Sequence, residues 1–244
     1  MNNITDEFLA DAWKVSPGCE NNEDWLLDPV RWKRGRKILV CAHSDLFDEN
    51  IPDAWLDKVF AVMALCPHHT FRVLTERPER MLEYLSQKDT DEAVGWAETM
   101  IYEDVGELPA DVYHGPTHRR LPLPNVWLGV TAKNQEMANK RIPLLLQTPA
   151  AKRFVSIGPM LGWVDLESIK PDRKTTMNVL GGCGISFANG YSGQMTPNIQ
   201  FPALDWVIVV CDSGHPDWVR YILDQCANAG VPFEQWSDHD KRHH

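Results

Sequence analysis

The sequence of 244 residues lacks the long apolar runs of a membrane protein. No stretch approaches the roughly 18–20 continuous apolar residues that a membrane-spanning helix needs. The first residues, Met1–Glu7, carry neither the positive flank nor the apolar core of a signal peptide. We therefore expect a cytoplasmic protein that makes no contact with membranes.

The sequence also lacks the short motifs that mark common active sites. It contains no CxxC, HExxH, GxSxG or GxGxxG, and Gly181–Gly184 lacks the GK[ST] ending of a phosphate-binding loop. Its six cysteines are dispersed, which in a cytosolic chain favours buried thiols over disulfides. The pair His68-His69 resembles a metal spacing only superficially, so we expect no metal site.

Basic residues are few, and they are unevenly placed. Lysine and arginine number 24 against 34 acidic residues, which gives a net charge of −10 and disfavours general binding to DNA. Five of the seven residues 31–37 are nevertheless basic: Arg31, Lys33, Arg34, Arg36 and Lys37. We interpret this run as a partner-binding surface for phosphate or for an acidic protein, and the net charge favours the protein. The alternative is an ordinary solvated face.

Short apolar runs alternate with helical patterns along most of the chain. The predicted strands cover residues 37–42, 70–75, 125–131, 152–157, 205–211 and 231–236. Such alternation predicts an α/β fold with a parallel sheet of about six strands, either an open sheet or an incomplete (β/α) barrel. We expect an irregular N-terminal segment over residues 1–36 and a single α/β domain over residues 37–244.

Reactive side chains follow several of the predicted strands. In parallel α/β folds, function gathers at the carboxyl ends of the strands. The residues found there are Cys41, His43, Asp45, Glu76 and Asp212. Cys41 and His43 could act as nucleophile and base, and the carboxylates could do acid–base work. The same residues could equally form the ordinary polar mouth of a barrel.

The segment Trp13–Cys19, which reads WKVSPGC, resembles the N-terminal motif of a phage and prophage family with three cysteines. Members of this family are of unknown function and are similar to radical-SAM enzymes. The resemblance continues through Ser44–Phe47, Val59–Met63, Asn125–Thr131 and Asp205–Val209. It implies a radical-SAM-type α/β barrel, a [4Fe–4S] cluster, S-adenosylmethionine and a substrate that is nucleic acid or a modified base.

The chain departs from this family where the cofactors would bind. Of the three cysteines that the resemblance leads us to expect, only Cys19 is present, as a remnant. Three protein thiolates are needed when S-adenosylmethionine occupies the fourth iron, so we expect no cofactor. Further departures at Glu76, Gly158 and Asp212 also fall at the mouth of the implied barrel.

These departures favour a catalytically degenerate, radical-SAM-like phage protein that acts by binding a partner. The partner would belong to host defence or to nucleic-acid machinery, and the protein would work in the host cytoplasm. Two alternatives remain open: an enzyme with a rebuilt site at the barrel mouth that acts on nucleic acid or a nucleotide, and a retained nucleic-acid binder. The sequence leaves the oligomeric state open.

Overall fold

The computed structural model describes residues 11–13, 23–41, 44–87, 89–105, 121–191, 195–211 and 215–237. The chain divides into two compact units. The first comprises Met1–Leu128 and Thr148–Ala151, and the second comprises Gly129–Gln147 and Lys152–His244. Each unit contains parallel strands and helices, as the alternating sequence pattern predicts.

The first unit contains the first half of the strand and helix series. Its elements are β1 (Asp11–Trp13), α1 (Glu23–Leu26), α2 (Asp28–Arg31), β2 (Lys37–Val40), α3 (Asp53–Leu65), β3 (Thr70–Thr75), α4 (Pro78–Ser86) and α5 (Thr90–Val105). Strand β4 (Val126–Ala132) supplies residues to both units. The sheet order here is β1-β2-β3-β4, with Ile38 opposite Asp11 and Lys37 opposite Thr70 in parallel pairs.

Helix α3 has the apolar face that its sequence predicts. The residues predicted to face the core, Trp55, Leu56, Val59, Phe60 and Met63, are all buried. The end of α3 is buried as well, and Asn125 satisfies two of its carbonyl groups. The Asn125 Nδ2 donates to Met63 O at 2.9 Å and to Cys66 O at 3.1 Å. Helix ends leave such carbonyls without an intrahelical partner, so this side chain stabilises the helix terminus.

The second unit holds the later elements of the series. They are α6 (Gln135–Gln147), β5 (Lys152–Ile157), β6 (Thr175–Asn178), β7 (Cys183–Tyr191), β8 (Met195–Gln200), β9 (Trp206–Cys211), α7 (Pro216–Ala229) and β10 (Phe233–Ser237). The strands β5, β9 and β10 pair in that order and run parallel. Helix α7 begins at a proline and is capped by Gly230 at φ 69°, a left-handed conformation that glycine adopts without strain.

An additional small sheet lies in a region for which the sequence predicts no regular structure. Strands β6, β7 and β8 form an antiparallel sheet in which Thr176 faces Ile185 and Gly184 faces Ile199. Residues 171–203 are rich in glycine, asparagine and proline, which weakens the period-two signal on which strand prediction depends.

The fold class is confirmed: the protein has an α/β fold that matches the expected incomplete barrel or open parallel sheet. Among the described residues, seven strands belong to the main sheet, one more than the sequence predicts. The additional strand is β1, whose three residues are too few to give a periodic pattern. The domain boundaries predicted at residues 36 and 37 stay a prediction. Among the described helices, none combines the length and the apolarity that crossing a bilayer requires.

We predict that Asn125→Ala lowers the free energy of unfolding by roughly 1–3 kcal/mol, because the buried Met63 carbonyl loses the Asn125 donor and the Cys66 carbonyl keeps only the His69 N–H. Chemical denaturation followed by circular dichroism measures this change. The control is Asn50→Ala, which removes only an exposed hydrogen bond to Asp48. Equal effects of the two substitutions would show that Asn125 does not cap α3.

Candidate functional site

The carboxyl ends of β2 and β3 are joined by the side chain of Asp45. Its Oδ1 accepts from the Thr75 hydroxyl at 2.7 Å and from the Phe47 N–H at 3.0 Å. Its Oδ2 accepts from the Glu76 N–H at 2.8 Å and lies 3.4 Å from Nη1 of Arg77. The side chain is only 11% exposed. Asp45 therefore fixes the loop after β2 against the end of β3.

Arginines extend this hydrogen-bonded loop structure. Arg77 Nη2 lies 2.7 Å from Asp48 Oδ2, and Arg80 donates to the carbonyls of Asp48 and Ile51. The pKa of Asp48 lies below its usual value, chiefly because the Asn50 N–H donates to the carboxylate, with help from Arg77 and Arg80. The acidic and basic groups at this end of the first unit therefore largely neutralise one another.

This arrangement gives Asp45 a structural role. Each of its oxygens already receives two donors, so binding a cation would require displacing them. Glu76 differs from Asp45, because its side chain is exposed and lies directly after β3. The sequence predicts that both residues lie at strand ends, and the structure brings them together through the Glu76 N–H.

Cys41 closes β2 in an unusual backbone conformation. Its φ is 57°, in the left-handed region that non-glycine residues seldom adopt, and its N–H donates to Trp13 O at 3.1 Å. The residue is buried, with 4% of its surface exposed. A buried thiol is a poor nucleophile, so the position fits the turn that leads into Ser44 better than it fits catalysis.

Several predicted site residues lie outside the described residues. They are Cys19, His43 and Asp212. The prediction that Asp212 shares a cleft with Asp45 and Glu76 therefore stays a prediction. In the part of the chain that the structure describes, no three His, Cys, Asp or Glu side chains are grouped as ligands for a metal ion.

The basic run lies at the opposite, amino ends of β2 and β3. We call residues 31–37 the basic loop. The Arg36 carbonyl accepts from the N–H of Thr70, the first residue of β3, at 2.8 Å. The Arg36 guanidinium lies 4.7 Å from the centre of the Trp32 ring. Gly35 passes so close to the strand connection that a Cβ there would lie 2.7 Å from His68 O.

Two histidines hold the backbone of this loop. His68 Nε2 donates to Trp32 O at 3.0 Å. His69 is 1% exposed, its Nδ1 accepts from the Arg36 N–H at 3.1 Å, and its Nε2 lies 2.9 Å from Pro29 O. Because Nδ1 accepts and Nε2 donates, the His69 ring is the neutral tautomer with its proton on Nε2. The histidine pair therefore supports the backbone of the loop.

The cations of the basic loop are not equally available. Arg31 lies 3.6 Å from Asp28, and Arg36 is engaged with Trp32. Lys33 and Arg34 are exposed, and within the described residues neither makes a hydrogen bond or an ion pair. The sequence does not distinguish the five cations, whereas the structure shows that Lys33 and Arg34 are the exposed ones without a hydrogen bond or ion pair to another described residue. It also adds His68 and His69, whose role could have been suspected only from their position directly before β3.

The fold and the site define an α/β protein with a parallel sheet and a structured cationic loop at the amino ends of its strands. Residues 4–244 match the model of a family described as a protein of unknown function, DUF5131, and the chain belongs to this family. Neither the curated proteins nor the solved structures gave a match.

We predict that Asp45→Asn destabilises the protein by roughly 1.5–3 kcal/mol, because an amide cannot accept from all of the donors that surround this carboxylate. The matched control is Glu76→Gln, which we expect to change the free energy of unfolding by less than about 0.5 kcal/mol because the side chain is exposed. Urea denaturation of both variants measures the difference. A smaller effect at Asp45 than at Glu76 would contradict the structural role of Asp45.

Proposed function

We propose that the protein acts by binding the acidic surface of a protein partner through the basic loop, and that it is not an enzyme. The observation that supports this function is the availability of Lys33 and Arg34 on a fixed backbone. Both are exposed, and among the described residues neither has an ion-pair partner. Their neighbours in the loop are held by Trp32, His68 and His69.

A fixed backbone improves such a surface for a physical reason. Binding normally costs the free energy of ordering a loop, and that cost is smaller when the free protein already holds the bound conformation. Here the Trp32 carbonyl and the Arg36 N–H are both engaged by histidines, so the backbone on both sides of Lys33 and Arg34 is held before binding.

The number of available cations favours a protein partner over nucleic acid. Neutralising one phosphate of duplex DNA contributes a log–log salt slope of about −0.9, and proteins with strong salt-dependent binding make about 6–10 such contacts. In the basic loop, the two available cations, on a chain of net charge −10, fall far below that number. A carboxylate-rich protein surface needs fewer contacts, because apolar and hydrogen-bonding contacts can supply the remaining affinity.

The carboxyl ends of β2 and β3 favour binding over catalysis as well. A general base needs an oxygen that is free to take up a proton, and the Asp45 oxygens are occupied by four donors. Of the thiols that could serve as nucleophiles, Cys41 and Cys66 are buried, and burial raises the pKa of Cys66 to about 12. Neither group is arranged for nucleophilic chemistry at neutral pH.

We further propose that the chain descends from phage proteins of radical-SAM type and has lost their cofactor. The support is the sequence resemblance from Trp13 to Cys19, together with the single cysteine that remains there. One thiolate does not fit a [4Fe–4S] cluster that needs three, so we derive no reaction step through a cluster or through S-adenosylmethionine.

The loss of the cofactor predicts a negative result in reconstitution. After anaerobic incubation with iron and sulfide, we expect well below the roughly four irons per chain of a complete cluster, and no 5′-deoxyadenosine when S-adenosylmethionine and a reductant are added. Iron assay and chromatography of the nucleoside products measure both. Stoichiometric iron with formation of 5′-deoxyadenosine would refute the proposed degeneracy.

We predict that Lys33→Glu/Arg34→Glu weakens binding of a fluorescent hexaglutamate peptide by about tenfold at about 150 mM salt, because two attractive charges become repulsive. Fluorescence anisotropy measures the dissociation constant. The matched control is Lys170→Glu/Arg173→Glu, which makes the same change in charge at exposed positions of the second unit and should leave binding unchanged.

Two outcomes would contradict the proposed partner class. The first is equal weakening by the control variant, which would show that only net charge matters. The second is tighter binding of a short DNA duplex than of hexaglutamate, lost in Lys33→Glu/Arg34→Glu, which would establish nucleic acid as the ligand. The variants leave Arg36 in place because it contributes to the loop structure through Trp32.

A further inference from the structure

The second unit exposes a pair of aromatic rings that lies outside the proposed site. Trp163, in the segment after β5, is 44% exposed, and Tyr221, on α7, is 37% exposed. Their ring centres are 5.1 Å apart and their planes are inclined by 35°. Two large rings in contact and exposed to solvent form a surface that commonly binds a ligand rather than only completing the core.

The segment that carries Trp163 is held rigidly. Val164 and Leu166 are fully buried, whereas Trp163 and Glu167 are exposed and Asp165 is half-buried. The Asp165 N–H donates to Gln135 Oε1 at 2.6 Å, and the Leu166 N–H donates to Gln225 Oε1 at 3.1 Å. The position of Trp163 against Tyr221 is therefore built into the unit.

Two carboxylates give this surface a negative character. Glu167 is exposed, and its carboxylate makes no ion pair with any described residue. Asp165 accepts from Gln225 Nε2 at 2.7 Å and from the Glu167 N–H at 2.9 Å, both at Oδ1. Partial burial raises the pKa of Tyr221, and the charges of Asp165 and Glu167 raise it further.

We propose that Trp163, Tyr221 and Glu167 form a binding surface for an arginine or lysine side chain presented by a protein partner. The exposed rings attract a cation through their quadrupoles, and Glu167, whose N–H donates to the Asp165 carboxylate that also binds Gln225 of α7, supplies an opposite charge. This surface goes beyond the proposed function, because it binds cationic groups whereas the basic loop binds acidic groups.

The same observations disfavour other ligand classes. Phosphate would be repelled by the carboxylates of Asp165, which accepts from Gln225 one helical turn after Tyr221, and of Glu167, whose N–H donates to Asp165. A purely apolar side chain would contact the rings but would leave Glu167 without a counter-charge. A guanidinium or ammonium group on an aliphatic stem satisfies both, because the stem covers ring surface while the charged head meets the carboxylate.

The test is titration of fluorescein-labelled hexaarginine into wild-type protein and variants at about 150 mM salt, followed by anisotropy. We expect Trp163→Leu and Glu167→Gln each to weaken binding by about fivefold, and Tyr221→Phe to bind like wild type because it keeps the ring. The matched controls are Trp96→Leu and Glu103→Gln, which make the same chemical changes at exposed positions of α5 and should have no effect.

Each outcome decides for or against the proposal. Equal weakening by the matched controls, or no detectable binding of hexaarginine, would overturn it. Tighter binding of oligothymidylate than of hexaarginine, lost in Trp163→Leu, would overturn the ligand class. If Trp163→Leu fails to fold by circular dichroism, Glu167→Gln against Glu103→Gln decides. Hexaarginine binding should survive Lys33→Glu/Arg34→Glu, so failure of the basic loop and failure of this surface are distinguishable.

Discussion

The candidate interface depends on the two hydrogen bonds that the neutral imidazole of His69 makes with the backbone. The ring is buried between two backbone groups, accepting from the Arg36 N–H and donating to the Pro29 carbonyl. Buried polar groups of the main chain need partners, and a loop of charged residues offers few that can be buried. Because one uncharged ring provides the hydrogen bonds for both backbone groups, the loop with its five cationic residues is held without a charged partner at this position.

Loop backbone groups are bound by different side chains at the two ends of β2 and β3, an acidic one at the carboxyl ends and histidines at the amino ends. At the carboxyl ends of β2 and β3, Asp45 accepts hydrogen bonds from Thr75 and from the Glu76 N–H, and it forms an ion pair with Arg77. At the amino ends, His68 and His69 form hydrogen bonds with the loop backbone, and the side chains of Lys33 and Arg34 are exposed to solvent. Among the described residues of the first unit, Asp45 and Arg77 are therefore engaged at the end that α/β proteins commonly use for chemistry, whereas Lys33 and Arg34 are exposed at the opposite end.

Much of the fold could be predicted because burial imposes regular patterns on sequence. The 3.6-residue period identified the buried face of α3, and proline with glycine marked the ends of α7. The small antiparallel sheet escaped prediction because its strands are rich in glycine and polar residues. The site was harder. The strand pattern predicted Asp45 and Glu76 at strand ends, but it carries no information on the hydrogen bonds that Asp45 accepts. No pattern in residues 31–37 separates Arg36 from Arg34.

The first unit is built from two separate segments of the chain, which has a consequence for its folding during synthesis. Its last segment, Thr148–Ala151, is separated from the rest by residues of the second unit. Pro149 and Ala150 line a small apolar cavity with Phe60 and Leu85, so these side chains lack part of their cover until the segment arrives. A nascent chain grows at about 5–20 residues per second, and domains tend to fold as they emerge. The cover that Pro149 and Ala150 give to this part of the first unit therefore arrives only after translation has passed these residues.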